Sequence, residues 1–201
     1  MKSKEIIRYG ITLFAITFVV ALILSGANML TKDRIASMAL VEQNEAKKAV
    51  IGNVDFDEIK DLQVSGNNPI VVGLWVAEKA SSPAAYIANV KPIGYSGTID
   101  MMVGLDLNFA VLDVKIINHS ETPGLGSKAA TPEFSSQFKG KTKDLAVKKN
   151  GSPSDNEIVA ISGATITTNA VAKGVKAAIE EASSIVSEST SSSQDGGAVS
   201  E

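Results

Sequence analysis

Residues 98–118 read TIDMMVGLDLNFAVLDVKIIN, and this stretch carries the strongest β-sheet pattern in the chain. Valine, isoleucine and other strand-favouring residues form two runs, 98–107 and 109–118. So few residues separate the two runs that a hairpin around 106–108 is predicted. Two earlier runs of similar composition predict further strands: 70–77 and 85–92.

Helices are predicted on both sides of these strands. From Thr168 onward, apolar residues repeat at helical spacing, and residues 31–51 form an Ala-, Glu- and Lys-rich stretch. Strands in succession with helices at both ends predict an α+β domain of mostly antiparallel sheet over residues 53–186. Residues 187–201 are rich in Ser, Glu and Gly and poor in apolar residues, so a disordered tail is predicted there.

The N-terminal segment 9–30 contains no charged residue. At about 1.5 Å rise per residue, a helix of this length can cross the roughly 30 Å hydrocarbon core of a bilayer. Basic residues in 1–8 favour a cytoplasmic N-terminus, followed by a transmembrane helix at 9–30 and a connecting helix at 31–52. The domain would then be extracytoplasmic, in a single-pass protein of the cell membrane.

A cleaved signal peptide is the alternative for this segment. It has a basic start, an apolar core, and the small residues Ser25 and Ala27 that would suit a signal peptidase. In both cases the chain beyond residue 30 is expected outside the cytoplasm.

Composition restricts the possible chemistry. The chain has 201 residues, 44% of them hydrophobic and 20% charged, which suits one ordinary globular domain with an anchor and a tail. A net charge of -3 without any basic run argues against a nucleic-acid partner. There is no cysteine and only one histidine, so no metal site is predicted. Redox chemistry here would need an organic cofactor.

The segment 162–165, SGAT, is the first candidate site. It lies between the apolar run 158–161 and the helix predicted from Thr168. A strand that leads through a small-residue turn to a helix N-terminus is a natural anion site, because the first-turn N–H groups are unpaired and the helix dipole adds positive charge. Gly163 allows close approach of a ligand, and Thr167 adds a hydroxyl. An ordinary N-cap by Thr168 is the alternative.

Two further segments are candidates for binding a flat ring. The first is 119–126, HSETPGLG, which directly follows a predicted strand. Its proline and glycines can shape a loop whose amides surround a ring while Leu125 packs on one face, although a plain Pro-Gly turn would have the same residues. The second is 94–98, GYSGT, which predicts either a β-turn or the edge of a pocket.

In this order behind one apolar span, the three segments resemble the FMN-binding subunits of ion-translocating electron-transport complexes. The resemblance covers residues 5–185 and is greatest to the G-subunit family of Rnf complexes, which move electrons between ferredoxin and NAD. The C subunits of sodium-pumping NADH:quinone reductases are related. In this family a flavin transferase attaches FMN through its phosphate to the threonine that closes the Ser/Thr-Gly-Ala-Thr motif. That threonine is Thr165 here, while Val159 stands where the motif often has Asp.

The resemblance implies an electron-transfer subunit of a membrane-bound ion-translocating oxidoreductase. Its partners would be the other membrane subunits of the complex and a flavin transferase, and no residue would act as a catalytic acid or base. The resemblance also implies which residues contact FMN, and Lys128 among them would pair with the phosphate or the reduced ring. The full set is Ser162, Gly163, Ala164, Thr167, Glu121, Thr122, Gly124, Leu125, Gly126, Tyr95, Ser96, Gly97 and Lys128.

Other functions are compatible with the same residues. The chain could be the FMN subunit of a sodium-pumping NADH:quinone reductase, or serve another extracytoplasmic reductase or a redox regulator. A third possibility, of a different class, is a non-redox anchored scaffold in which the glycine-rich segments are only turns.

Overall fold

The computed structural model describes residues 3–192. Helix α1 runs from Ser3 to Ile51 without interruption, so the predicted anchor and the predicted connecting helix belong to one element. Within it, Ile7–Lys32 has a mean hydropathy of 2.3 and no part buried in protein; by length and composition this stretch can cross a membrane. The chain divides into two compact units between Asn44 and Glu45.

The second unit is built on a five-stranded antiparallel sheet in which each strand pairs with the next along the chain. Its strands are β1 Glu58–Leu62, β2 Val71–Lys79, β3 Ser82–Val90, β4 Asp100–Leu105 and β5 Val111–Asn118. The four predicted strands correspond to β2–β5, and the predicted hairpin joins β4 to β5. Strand β1 was not predicted, because its sequence EIKDL is mostly charged; it lies at the edge of the sheet.

Both faces of the sheet are covered, because side chains alternate between its two sides. Helix α3, Thr165–Ser192, packs its apolar stripe against one face, where Val175 and Ala178 are fully buried. On the other face, Val50 and Ile51 at the end of α1 pack with Trp75. Apolar area buried in this way supplies the main stabilisation of such a domain.

Short elements connect the sheet to α3. A 3₁₀ helix at Gly126–Ala130, helix α2 at Pro132–Ser135 and a second 3₁₀ helix at Ser136–Phe138 follow β5. Strands β6, Ala146–Lys148, and β7, Glu157–Val159, then form a separate parallel pair that leads to α3. The helices after β5 were not predicted; Phe134 and Phe138 hold them to the core.

The ends of α3 differ from the prediction. The helix begins at Thr165, and Thr168 lies in its first turn. Thr168 therefore is not the N-cap; its Oγ1 donates to the Ala164 carbonyl at 3.0 Å and accepts from the Ile161 N–H at 3.1 Å. At the other end the tail was predicted from residue 187, whereas the helix continues to Ser192. The rest of that predicted tail, 193–201, lies outside the described residues.

The fold class agrees with the prediction: an N-terminal apolar helix is followed by an α+β domain of antiparallel sheet with flanking helices. The sheet and α3 together place the loop after β5 next to the start of α3. That proximity creates the site described next.

Candidate functional site

A cavity of about 420 Å³, here called the three-loop cavity, is formed by the three segments singled out in the sequence. Its volume is within the usual range for small-molecule sites. The cavity is lined by Tyr95, Glu121, Thr122, Leu125, Gly126, Gly163, Ala164, Thr165, Ile166 and Thr167.

The turn before α3 positions Thr165. The Ala164 N–H donates to the Ile161 carbonyl at 2.9 Å, and Gly163 inside this turn has φ +76°, a conformation that glycine adopts without strain. Thr165 follows as the first helical residue, with a half-buried side chain that lines the cavity. The helix N-terminus thus opens into the cavity, where its first-turn amides and dipole favour an anion.

The loop after β5 is closed by its own hydrogen bonds. The N–H groups of Leu125 and Ser127 both donate to the Thr122 carbonyl at 3.2 Å, and the Gly124 N–H donates to Ser127 Oγ at 2.9 Å. This geometry holds Leu125 outward, 43% exposed, against the turn before α3: a Cβ on Gly163 would lie 3.1 Å from Leu125 Cδ2. Leu125 therefore forms a wall shared by two of the three segments.

Glu121 links all three segments. It is 5% exposed, and its Oε1 accepts the Ser96 N–H at 3.0 Å while its Oε2 accepts the Thr167 hydroxyl at 2.5 Å. Its own N–H donates to His119 Nδ1 at 3.2 Å, a contact within the same loop. The sequence pointed to Glu121 as a cofactor contact, whereas the structure adds that it holds the walls of the cavity together.

The segment 94–98 forms the predicted turn at the cavity mouth. The Gly94 N–H donates to the Gly97 carbonyl at 2.8 Å, and Tyr95 between them is 69% exposed. Below the turn, Asp100 accepts a hydrogen bond from Asn89 Nδ2 at 2.7 Å and pairs with Lys91 Nζ at 2.9 Å. These contacts hold the base of the turn in place.

An exposed apolar rim surrounds the mouth of the three-loop cavity. Ile166 is 57% exposed and lines the cavity together with Tyr95 and Leu125. Ile166 was absent from the residues expected to contact a cofactor. The sequence feature that could have indicated Ile166 is its position directly after Thr165, in the first helical turn of α3, which directs it outward.

Several predicted residues lie outside this lining. Ser96, Gly97 and Gly124 contribute backbone around the cavity without lining it. Ser162 and Lys128 instead line a second cavity of about 520 Å³, beside Gln137 and Val159. The described residues contain no group of three or more His, Asp and Glu side chains that could hold a metal ion.

Similarity to known proteins places the chain in a class built on an FMN-binding domain. A family model described as FMN-binding domain matches residues 94–180, and one described as RnfG N-terminal region matches residues 1–50. The fold is similar to the crystal structure of Shewanella oneidensis NqrC, with a TM-score of 0.55, 16% identity, and coverage of 67% of this chain and 89% of that one. The C subunit of the Na⁺-translocating NADH-quinone reductase from Parabacteroides distasonis has a TM-score of 0.53, 21% identity, and coverage of 69% and 88%.

Relatives of higher identity define the family more narrowly. The G subunit of the proton-translocating ferredoxin:NAD⁺ oxidoreductase complex of Clostridium ljungdahlii is 34% identical over 85% of this chain and 91% of the relative. The G subunit of the ion-translocating oxidoreductase complex of Methanosarcina acetivorans is 30% identical over 89% and 95%. The chain belongs to the Rnf G-subunit family of ion-translocating oxidoreductase complexes. The resemblance stated from the sequence is thereby confirmed.

The three-loop cavity has the features that FMN requires. A helix N-terminus faces it, which suits a phosphate group. Tyr95, Leu125 and Ile166 offer apolar surface to a flat ring, and the absence of a side chain at Gly163 leaves room beside Leu125. The residues present therefore fit the cofactor that the family model names.

Proposed function

We propose that this chain is the electron-transfer subunit of an Rnf-type ferredoxin:NAD⁺ oxidoreductase complex and carries FMN in phosphoester linkage to Thr165. The observation that supports this most directly is the placement of Thr165. It is the first residue of α3, its side chain lines the three-loop cavity, and the same cavity is lined by Tyr95 and Leu125.

Each part of the cavity has a defined task in this proposal. The first-turn amides of α3 bind the phosphate, and the helix dipole favours its charge by about 0.3–1 kcal/mol. Tyr95, Leu125 and Ile166 contact the ring and exclude water from part of it. The bound FMN supplies reversible uptake of electrons. Thr165 acts as a tether and takes no part in turnover.

A covalent tether suits the proposed location of the domain. The helix is taken as a retained, single-pass span, and the basic residues Lys2, Lys4 and Arg8 before the uncharged stretch 9–30 favour an N-terminus in the cytoplasm. The FMN domain would then lie outside the cytoplasm. A cofactor that dissociated there could not readily be replaced, so attachment by a flavin transferase before function is expected.

The attachment site is tested by expressing the full chain with a flavin transferase. After denaturing electrophoresis under ultraviolet light, the wild-type band should fluoresce and the Thr165→Ala band should be dark. Thr98→Ala is the matched control, because Thr98 is an exposed threonine near the cavity outside its lining, and its band should stay fluorescent. A fluorescent Thr165→Ala band would refute the assignment, and a dark wild-type band would favour a scaffold without flavin.

The complex is tested by co-purification in mild detergent. The Rnf assignment predicts that the chain elutes with other membrane subunits, and a lone, stable monomer would contradict it. The alternatives are the FMN subunit of a sodium-pumping NADH:quinone reductase and an FMN protein of another extracytoplasmic reductase or redox regulator. The names of the relatives favour Rnf, since those at 30–34% identity are G subunits, whereas the NqrC structure is 16% identical.

A further inference from the structure

The carboxylate of Glu121 lies in an unusual place for an anion. It is 5% exposed and lines the three-loop cavity. None of the ion pairs in the described part of the chain includes Glu121. A charge that is buried without a cation nearby is energetically costly and requires hydrogen-bond donors instead.

Two donors and two glycines accommodate this carboxylate. Oε1 accepts from the Ser96 N–H at 3.0 Å and Oε2 from the Thr167 hydroxyl at 2.5 Å. A Cβ on Gly94 would collide with Oε1, and a Cβ on Gly126 would lie 2.5 Å from Oε2. Both oxygens act as acceptors, which is the arrangement an ionised carboxylate needs. The pocket around Glu121 is therefore built for a negatively charged side chain.

We propose that Glu121 is a positioning residue that also presents a fixed negative charge to the cofactor cavity and thereby lowers the midpoint potential of the bound flavin. This inference rests on the proposed function of the cavity. A flavin ring that takes up two electrons and one proton from a reductant gains one net negative charge. A carboxylate in the same poorly solvated cavity opposes that gain, because the Coulomb interaction is stronger there than in water.

Two substitutions separate the charge of Glu121 from its shape. Glu121→Gln keeps the size of the side chain, and its amide can accept from the Ser96 N–H and donate to Thr167 Oγ1, but the charge is removed. Glu121→Asp keeps the charge and shortens the side chain by one methylene. Glu133→Gln is the matched control, since Glu133 is an exposed carboxylate that lines only the second cavity.

The experiment measures the midpoint potential of the covalently bound flavin at pH 8 by spectroelectrochemical titration of the purified full chain. The potential should shift to a more positive value in Glu121→Gln, remain closer to wild type in Glu121→Asp, and be unchanged in Glu133→Gln. Equal potentials in wild type and Glu121→Gln, or a larger shift in Glu121→Asp than in Glu121→Gln, would overturn the proposal in favour of packing alone.

If Glu121→Gln accepts no flavin, Thr167→Val decides the question. This variant removes one of the two hydrogen-bond donors to the carboxylate and so changes the charge that Glu121 presents to the cavity, whereas Thr167→Ser keeps the donor. The potential should shift in Thr167→Val and stay near the wild-type value in Thr167→Ser, and equal potentials in the two variants would overturn the proposal. Failure of the proposed function would be seen differently: the wild-type protein would carry no covalent flavin, or the Thr165→Ala variant would still carry it.

Discussion

The Thr167 hydroxyl donates a hydrogen bond to Glu121 Oε2 at 2.5 Å, joining two residues that are 46 positions apart in the chain. Thr167 is 1% exposed and Glu121 is 5% exposed, so the bond forms away from water. In such surroundings a charge-assisted hydrogen bond is strong and an unpaired partner is costly. This contact fixes the loop after β5 to the first turn of α3, and with it the two main walls of the cavity.

Gly126→Ala should destabilise the domain by about 1–3 kcal/mol, the usual cost of inserting a methyl group into a packed site. The added Cβ would lie 2.5 Å from Glu121 Oε2 and 2.9 Å from Thr167 Oγ1. Denaturant unfolding of the full chain in detergent measures the change. In a double-mutant cycle with Glu121→Ala, the combined cost should be smaller than the sum of the two single costs, and strict additivity would contradict the clash with Glu121.

Gly163→Ala should lower stability by about 1–2 kcal/mol, because φ +76° at this position is unfavourable for a residue with a Cβ. The Cβ would also press on Leu125 Cδ2 at 3.1 Å, so the fraction of chains carrying covalent flavin should fall. Unfolding free energy and in-gel fluorescence measure the two effects. Ser162→Ala, at the exposed neighbouring position, serves as the stability control. Equal unfolding free energies for the two variants would count against strain at Gly163.

Gly104→Ala should loosen the end of α1 from the sheet. A Cβ at Gly104 would overlap the Val50 carbonyl, so the helix end could not keep its position. Trp75, the only tryptophan, reports on this contact because it is 8% exposed and Lys47 Nζ lies 3.6 Å from its ring centroid. Its emission should shift to longer wavelength in Gly104→Ala and stay unchanged in Lys48→Ala. An unshifted spectrum in Gly104→Ala would refute this packing.

Tyr86 should make the domain sensitive to alkaline pH. Burial raises the pKa of its phenol above the ordinary value of 10.0, since the ionised form is disfavoured in the core beside Phe109. The unfolded chain therefore loses this proton at lower pH than the folded chain. The contribution to stability is complete below the unfolded pKa and is lost as pH rises towards the folded pKa.

Tyr86→Phe should remove that part of the alkaline loss. Unfolding free energies of wild type and Tyr86→Phe, measured from pH 8 to 11, provide the comparison. The two curves should diverge only at the alkaline end, with Tyr86→Phe the less affected. Parallel curves over the whole range would show that Tyr86 does not titrate in this way.

The elements that could be predicted are those whose pattern is local. Strands β2–β5 have runs of β-branched residues, and α3 has an apolar stripe at helical spacing, so a window of a few residues is enough. The missed elements depend on contacts with distant parts of the chain. Strand β1 has a charged sequence and exists through its pairing with β2, and α2 is held by Phe134 in the core.

The start of α3 shows the same limit. From the sequence the helix was expected to begin at Thr168, because the apolar residues that repeat at helical spacing start just after it. In the folded chain, Thr168 is buried and bonds to the backbone of Ile161 and Ala164, which carries the helix back to Thr165. The helix therefore begins three residues earlier than expected. Thr165 lies at the helix N-terminus, where an anion is favoured, and not in a loop.

By itself the sequence determined the apolar N-terminal helix, the α+β class and the three short segments worth examining, because hydropathy, periodicity and glycine placement are properties of neighbouring residues. Only the tertiary structure decided that these segments surround one cavity. It also placed Lys128 and Ser162 at a second cavity and buried the carboxylate of Glu121 between Ser96 and Thr167. The physical reason is that such contacts depend on how the sheet and α3 pack, and packing brings together residues whose separation along the chain carries no local signal.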